Sequence, residues 1–174
     1  TSPSMGGATF TAAYRQAPAV AAESMTDFAI AISPEAVDGL TVGAAMSNNT
    51  IATSVDSDEN TMYATYATGG FTLGVQASDL DHTTANSDQE SIAYGITYAV
   101  NDDFSIGYHN HTYEPDSGTS ATGKGTSDQE SEGISASYTM GGMTIAGAMN
   151  ETDNSRGVAS NDFESYEFNL SFAF

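Results

Sequence analysis

Large apolar and small or polar side chains alternate at the end of the chain. Every second residue, counted back from the carboxyl end, is bulky: Phe174, Phe172, Leu170, Phe168 and Tyr166. The residues between them are small or polar. A period of two indicates a β-strand with one apolar face and one polar face. Because the alternation continues to the last residue, we expect the apolar face to contact lipid.

The same alternation recurs along nearly the whole chain and predicts about ten strands. Their apolar positions begin at Phe10, Phe28, Leu40, Met62, Phe71, Ile92, Phe104, Ile134, Met143 and Tyr166. Most of these segments approach the roughly 9–11 residues that a tilted membrane strand needs. The predicted fold is all-β, a single antiparallel transmembrane β-barrel domain over residues 1–174.

The connections between the predicted strands alternate in length. Short turns contain Gly69-Gly70, Gly141-Gly142 and residues 101–103, with a longer turn at residues 33–39. The long polar stretches are residues 51–60, 80–89, 114–131 and 151–161. Short turns at one end and long loops at the other are typical of outer-membrane barrels. We therefore expect the short turns on the periplasmic side.

Aromatic and aliphatic residues mark the predicted lipid-facing surface. The residues assigned to it are Phe71, Tyr98, Phe104, Tyr138, Phe168, Leu170, Phe172 and Phe174. Aromatic residues near strand ends are expected at the membrane interfaces. An Arg or Lys at the bilayer midplane would cost about 2–4 kcal/mol, and the apolar positions of the predicted strands carry no charge.

The opposite face predicts a water-filled interior. Its positions are mostly Thr, Ser, Gly and Ala, which cannot fill a narrow barrel of ten strands. The predicted pore-lining residues with larger side chains are Arg15, Gln76, His109, His111, Glu167 and Asn169. A lumen of small polar groups requires a wider barrel, so we expect further strands from a longer chain or from other chains.

The terminal FNLSFAF resembles the closing strand of Gram-negative outer-membrane barrels. With the alternating strands, Gly-rich turns and acidic loops, the chain resembles the C-terminal part of a general diffusion porin. The resemblance implies a homotrimer of barrels with about 16 strands each, in lipopolysaccharide-containing outer membrane, that pass small hydrophilic solutes and ions. This chain would begin near a turn at Gly6-Gly7. The family's constriction loop has no match here, and only Arg15 could join its basic cluster.

Charge and composition narrow the function further. The chain has 23 acidic and three basic residues, a net charge of −20 and no cysteine. Such a field repels nucleic acid, and the missing cysteine excludes disulfides and thiolate zinc sites. The acidic balance predicts a mild preference for cations, which salt would screen because the Debye length is about 3 Å at 1 M.

Metal and cofactor sites are weakly indicated. His109 and His111 lie two residues apart on one strand face, a spacing that can supply two ligands, but no third ligand is evident. Carboxylates cluster in the predicted loops, where we expect at most a weak calcium site and no other cofactor. They include Asp56, Asp58, Glu59, Asp79, Asp81, Asp128, Glu130, Glu132, Asp153, Asp162 and Glu164.

The main alternative is a secreted or surface-exposed β-sandwich, such as an adhesin or structural protein with acidic loops. Sandwich strands also alternate, but they would not require connections that alternate in length. Among enzymes, a ten-stranded outer-membrane protease needs taller strands and a packed interior. A phospholipase barrel needs a Ser/His pair on the lipid side, whereas both strand histidines are predicted to face inward. No nucleophile is identifiable, so we expect a protein that is not an enzyme.

Overall fold

The computed structural model describes residues 1–16, 24–52, 55–83, 87–116 and 125–173, which form one antiparallel β-sheet. The strands follow one another in chain order, each paired with the next. They are β1 (Ala8–Gln16), β2 (Ser24–Ile32), β3 (Leu40–Ala52), β4 (Val55–Thr68), β5 (Phe71–His82), β6 (Gln89–Ala99), β7 (Phe104–Pro115), β8 (Gln129–Met140), β9 (Met143–Asp153) and β10 (Phe163–Phe172). The all-β antiparallel prediction is confirmed.

One other element interrupts the strands, a 3-10 turn at Ser155–Gly157 between β9 and β10. No helix in the described part of the chain has the length and apolar character needed to cross a bilayer.

The short turns adopt conformations that suit glycine. Gly69 and Gly70 between β4 and β5 have φ of 54° and 85°, and Gly141 between β8 and β9 has φ of 61°. Positive φ is costly for most residues but not for glycine, which has no Cβ. Gly6 and Gly7 form another such turn before β1, with φ of 60° and 81°. The predicted turns at these positions are confirmed.

The pairing register gives the sheet two chemically distinct faces. Phe71 pairs with Tyr98 and Tyr98 with Ile106, so these apolar residues share one face. The same parity runs from β1 to β10, because each strand is paired in a register that matches its own alternation. The register shifts once in these pairings, between Thr50 and Ala52 at the end of β3. We call the two sides the apolar face and the polar face.

The apolar face is not covered by protein. No hydrophobic side chain among the described residues is buried, and Phe168 and Met62 are 75% and 68% exposed. A sandwich would bury these residues beneath a second sheet. The described residues form only one sheet, so the β-sandwich alternative is wrong for this part of the chain.

Burial shows which way the sheet curves. In β6, Ser91 and Ala93 on the polar face are half-buried, whereas the larger Ile92 and Tyr94 on the apolar face are exposed. On a flat sheet, neither face would shield its side chains from solvent more than the other, so the lower exposure of these small residues indicates that neighbouring strands curve around them. The polar face is therefore the concave side. β1 and β10 do not pair with each other in the described residues, so this sheet is not closed.

Two predictions about the connections are wrong. Residues 51–60, predicted as a long loop, belong mostly to strands, because β3 continues to Ala52 and β4 begins at Val55. The strands at this end also extend further than the apolar alternation predicts. As a result, most of the carboxylates assigned to loops lie on strands, and only Asp128 and Asp162 of those named lie in connections. Alternation between polar and charged residues gives no hydrophobic signal, which is why these strand ends were missed.

Candidate functional site

All six residues predicted to line a pore lie on the polar face. Gln76 and His111 share one row of the sheet, separated by Ala93 on the intervening strand. Arg15 lies near the end of β1, paired with Met25. The remaining three are His109, Glu167 and Asn169. The structure therefore places them on one wall; that this wall lines a channel stays a prediction.

Glycine makes room for His109 on this wall. Gly133 is buried directly across from His109, and Asn150 follows on the next strand. A Cβ atom at Gly133 would lie 2.6 Å from His109 Cε1 and 2.3 Å from Asn150 Oδ1. The imidazole and the amide therefore lean toward each other over the glycine, flat against the wall.

Several larger polar-face residues were missed by the sequence analysis, among them Asp27, Glu59 and Tyr63. Asp27 accepts a hydrogen bond from Ser47 Oγ at 2.6 Å, and Glu59 pairs with Ser47 from the other side. Tyr63 lies across Gly43, where an added Cβ would come within 2.3 Å of Tyr63 Cε1. The alternation of β4, extended in both directions from Met62, was the signal that could have assigned Glu59 and Tyr63 to the polar face.

Most other polar side chains on this face are Ser and Thr hydroxyls, and several of them hydrogen-bond across strands. Thr61 and Ser78 are 2.8 Å apart at their hydroxyl oxygens, and Thr139 and Thr144 are 3.0 Å apart. No buried side-chain N or O atom in the described residues lacks a partner. The wall is thus wettable without being strongly charged.

The predicted lipid-facing residues lie together on the apolar face. They are Phe71, Tyr98, Phe104, Tyr138, Phe168, Leu170 and Phe172. Phe174, the eighth, lies outside the described residues. The Phe71 and Tyr98 rings stack with centroids 4.2 Å apart, close to the short-turn end. Whether lipid covers this face is not tested by the contacts within the chain, and it stays a prediction.

A belt of carboxylates borders the apolar face at the long-connection end. On β8, β9 and β10 the apolar row Ile134, Met149 and Tyr166 is followed by the acidic row Glu132, Glu151 and Glu164. The full belt, all of the same parity as the apolar residues, comprises Asp56, Asp58, Asp79, Asp81, Glu90, Glu114, Glu130, Glu132, Glu151, Asp153 and Glu164. We call it the acidic belt.

Neighbouring side chains support the belt. Tyr108 Oη donates a hydrogen bond to Glu132 at 2.9 Å, and Tyr166 Oη donates one to Glu164 at 2.7 Å. Glu151 lies directly between these two glutamates. Like charges directly opposite on neighbouring strands repel each other. The tyrosine hydroxyls offset part of that cost.

The carboxylates do not form a metal centre in this structure. No group of three or more His, Cys, Asp or Glu side chains within the described ranges is arranged to hold a metal ion. Within those ranges His109 and His111 have no third ligand beside them. A weak calcium site in the loops stays a prediction.

The two faces suit a boundary between two solvents. Exposed aliphatic and aromatic side chains gain from contact with hydrocarbon, whereas hydroxyls, amides and a few charges need water. A sheet this polarised is stable where lipid covers one side and water the other.

The comparisons with known proteins agree with this architecture. The sequence profile of Gram-negative porins matches residues 1–157. No curated protein sequence matches the chain. Among solved structures, an anion-selective porin from Comamonas acidovorans matches with a TM-score of 0.77 over 99% of this chain, at 14% sequence identity.

This chain spans 57% of the length of that porin's chain. At 14% identity the likeness shows the fold, a porin barrel of antiparallel strands, and nothing finer. The family match covers most of the sequence and places the protein in the bacterial outer membrane. On these grounds, the chain belongs to the family of Gram-negative porins.

Proposed function

We propose that this chain forms part of the wall of a water-filled channel for passive diffusion of small hydrophilic solutes and ions. The observation that carries the proposal is the shared parity of ten strands, which separates an exposed apolar face from a concave face of small polar groups. A lumen-facing wall of this kind conducts by keeping water in contact with the solute. The function needs no catalytic group, so we propose a channel and not an enzyme.

The charge on the wall supports at most a mild preference for cations. On the described strands, the polar face carries the carboxylates of Asp27, Glu59 and Glu167 and the guanidinium of Arg15. The remaining strand carboxylates lie in the acidic belt, on the other side of the sheet. Because a charge on the lipid side is farther from the permeating ion, the net charge of −20 overstates the field in the lumen. The solved structure named as an anion-selective porin shares the fold, not these residues.

We propose that further strands complete the barrel, to about 16 strands in all. In the described residues the outer edge of β10 has no strand partner, and that of β1 is contacted only by the short segment 1–5, whose Ser2 N–H donates to the Phe10 carbonyl at 2.7 Å. These open edges support the proposal, because an open edge is costly within a bilayer. A homotrimer, lipopolysaccharide as a lipid neighbour and a weak calcium site in the loops remain proposals drawn from the sequence.

Channel activity can be tested by reconstituting the full-length protein into planar lipid bilayers. We expect stepwise, ohmic ion conductance with a permeability ratio slightly in favour of K⁺ over Cl⁻. A heat-denatured sample at the same protein and detergent concentration is the control. A properly folded sample that inserts and yet carries no current under voltage would refute the proposed function.

A further inference from the structure

The connection between β9 and β10 is a tightly bonded turn that carries Arg156. Asn154, Arg156 and Ser160 all have positive φ, at 50°, 61° and 62°. Such backbone conformations are uncommon and costly for residues other than glycine, and they persist only where surrounding bonds hold them. Here the Asn154 N–H donates to Asp162 Oδ1 at 2.9 Å, and the Ser155 N–H donates to the Asn161 carbonyl at 2.8 Å.

A second connection, the one before β8, holds both peptide groups of Arg156. Its N–H donates to Gln129 Oε1 at 2.8 Å, and its carbonyl accepts from the Gly125 N–H at 3.0 Å. The Ser127 N–H donates to the Gly157 carbonyl at 3.0 Å, which extends the contact by one residue. Arg156 is thus fixed at its backbone, although its side chain is exposed.

The anchoring side chain shows on which side of the sheet the turn lies. Gln129 has the parity of the polar face, and its Nε2 donates to Ser131 Oγ on the same face at 3.3 Å. Thr152 also donates to Ser131 Oγ, at 3.1 Å. The 155–157 turn contacts β7 as well as β8, so it reaches inward across the wall. Arg156 therefore lies over the concave side, at the long-connection end.

The side chain of Arg156 carries a positive charge in a strongly acidic protein. Within the described ranges the guanidinium has no ion pair with a carboxylate, in a protein whose net charge is −20. Arg15 is the other arginine that the structure describes. A guanidinium presents a planar set of donors that fits carboxylate and phosphate groups. Because the Arg156 backbone is held in place within an acidic surrounding, its guanidinium is a preferred contact for an entering anion.

We propose that Arg156 is a selectivity-determining residue at the outer entrance of the channel, where it binds the carboxylate or phosphate group of small anionic solutes. This inference rests on the proposed channel function. In this proposal, the fixed backbone of the connection between β9 and β10 holds the positive charge of Arg156 over the lumen wall. Removing the charge and displacing the backbone should both raise the preference for cations.

The test is the reversal potential of the full-length protein in planar bilayers under a KCl gradient. With Arg156→Gln we expect the K⁺/Cl⁻ permeability ratio to rise roughly twofold to fivefold, the size of one exposed charge contact. Arg156→Lys should restore most of the wild-type ratio. The difference should vanish near 1 M salt, where the Debye length is about 3 Å. Sodium phosphate in place of KCl should give a larger effect, because phosphate accepts two guanidinium bonds.

Backbone placement is tested by Gly125→Ala, since a Cβ there would lie 1.5 Å from the Gly157 carbonyl oxygen. The control is Gly74→Ala, where the nearest atom to an added Cβ is Thr65 Cγ2 at 3.8 Å. We expect the first variant to shift the ratio as Arg156→Gln does, and the second to leave it unchanged.

An unchanged ratio in Arg156→Gln, with normal conductance, would overturn this inference and leave the channel function intact. The same holds if Gly125→Ala alone changes selectivity, because the turn would then act through its shape and not its charge. A wild-type protein that does not conduct would overturn both.

Discussion

Adjacent residues on one strand lie on faces of opposite chemical character in this protein. Val75 lies on the apolar face, paired with Ala64 and Tyr94, and is 45% exposed. Gln76, one residue along, lies on the polar face and donates to Ser78 Oγ at 3.4 Å. Since successive side chains of a strand point to opposite faces, the two positions differ in environment while sharing their backbone.

This pair allows a matched test of which face meets lipid. Val75→Arg should cost about 2–4 kcal/mol of unfolding free energy in lipid vesicles, because the new charge lies in the hydrocarbon region. Gln76→Arg should change that free energy by about 0.5 kcal/mol or less, as for an ordinary solvated position. Denaturant titration of the folded protein in vesicles measures both.

If the two substitutions cost the same, the assignment of the faces is wrong. Gln76→Arg has a second readout, since an added positive charge on a lumen wall should lower the K⁺/Cl⁻ permeability ratio. If Gln76→Arg leaves the K⁺/Cl⁻ permeability ratio unchanged, Gln76 lies away from the permeation path.

At the residue scale, sequence periodicity predicted the apolar positions better than the polar ones. Phe71 and Leu170 could be assigned from a period of two, because a strand with one apolar face carries a large side chain at every second residue. Asp27 and Arg156 could not. Asp27 interrupts no hydrophobic pattern, and the position of Arg156 depends on bonds to Gln129 and Gly125, which are 27 and 31 residues away along the chain.

At the scale of elements, the ends of the strands differ from their middles. On β8, β9 and β10 the apolar row of paired residues is followed, two residues further along each strand, by a row of paired glutamates, Glu132, Glu151 and Glu164. The strands therefore continue beyond the apolar band, and their last pairs form against electrostatic repulsion. Sequence analysis assigned many of these residues to loops, because strand continuation there depends on backbone pairing with neighbours.

The repulsion predicts that removing the central charge stabilises the sheet. Glu151→Gln should raise the unfolding free energy by about 0.2–1 kcal/mol at low salt, since Glu151 has a like charge on both sides. The gain should shrink in 1 M NaCl, where screening acts over about 3 Å. Asp38→Asn, which removes one charge in the turn before β3, is the control and should change little.

Both variants are compared by denaturant titration at low and high salt. A loss of stability in Glu151→Gln at low salt would mean that the carboxylate has a favourable partner, such as a bound cation. That result would contradict simple repulsion within the acidic belt.

At the scale of the whole molecule, the two edges of the sheet determine how the barrel is completed. In the described residues β10 has a strand partner on one side only, β1 has β2 on one side and only the short segment 1–5 on the other, and this chain spans 57% of the solved porin's chain. A ten-stranded barrel closed on itself would bring β1 next to β10. A wider barrel would put other strands between them, and only the wider one leaves a lumen for these small side chains.

Engineered disulfides distinguish the two barrels, since the chain has no cysteine of its own. Thr11→Cys combined with Ala29→Cys should cross-link, because these residues are directly paired and antiparallel partners are about 4.5–5.5 Å apart at Cα, within the range for a disulfide. Thr11→Cys combined in turn with Glu167→Cys, Asn169→Cys or Ser171→Cys should not. Non-reducing gel mobility of the full-length protein reads out both.

A cross-link between β1 and any of these β10 positions would establish closure by ten strands. The proposal of a wide diffusion channel would then fail, since a narrow tube lined by Ser, Thr and Gly would not hold its shape around a column of water.

The separation of the acidic belt from the polar face has a consequence for how such proteins are ranked from sequence. The chain has an isoelectric point of about 4.1, and 11 of its 23 acidic residues lie in the acidic belt, on the opposite side of the strands from the polar face. Two homologues with equal isoelectric points could therefore have opposite ion selectivity, depending on whether their strand carboxylates lie on the polar face or on the apolar face. Residue parity, counted from the apolar alternation, is the better descriptor.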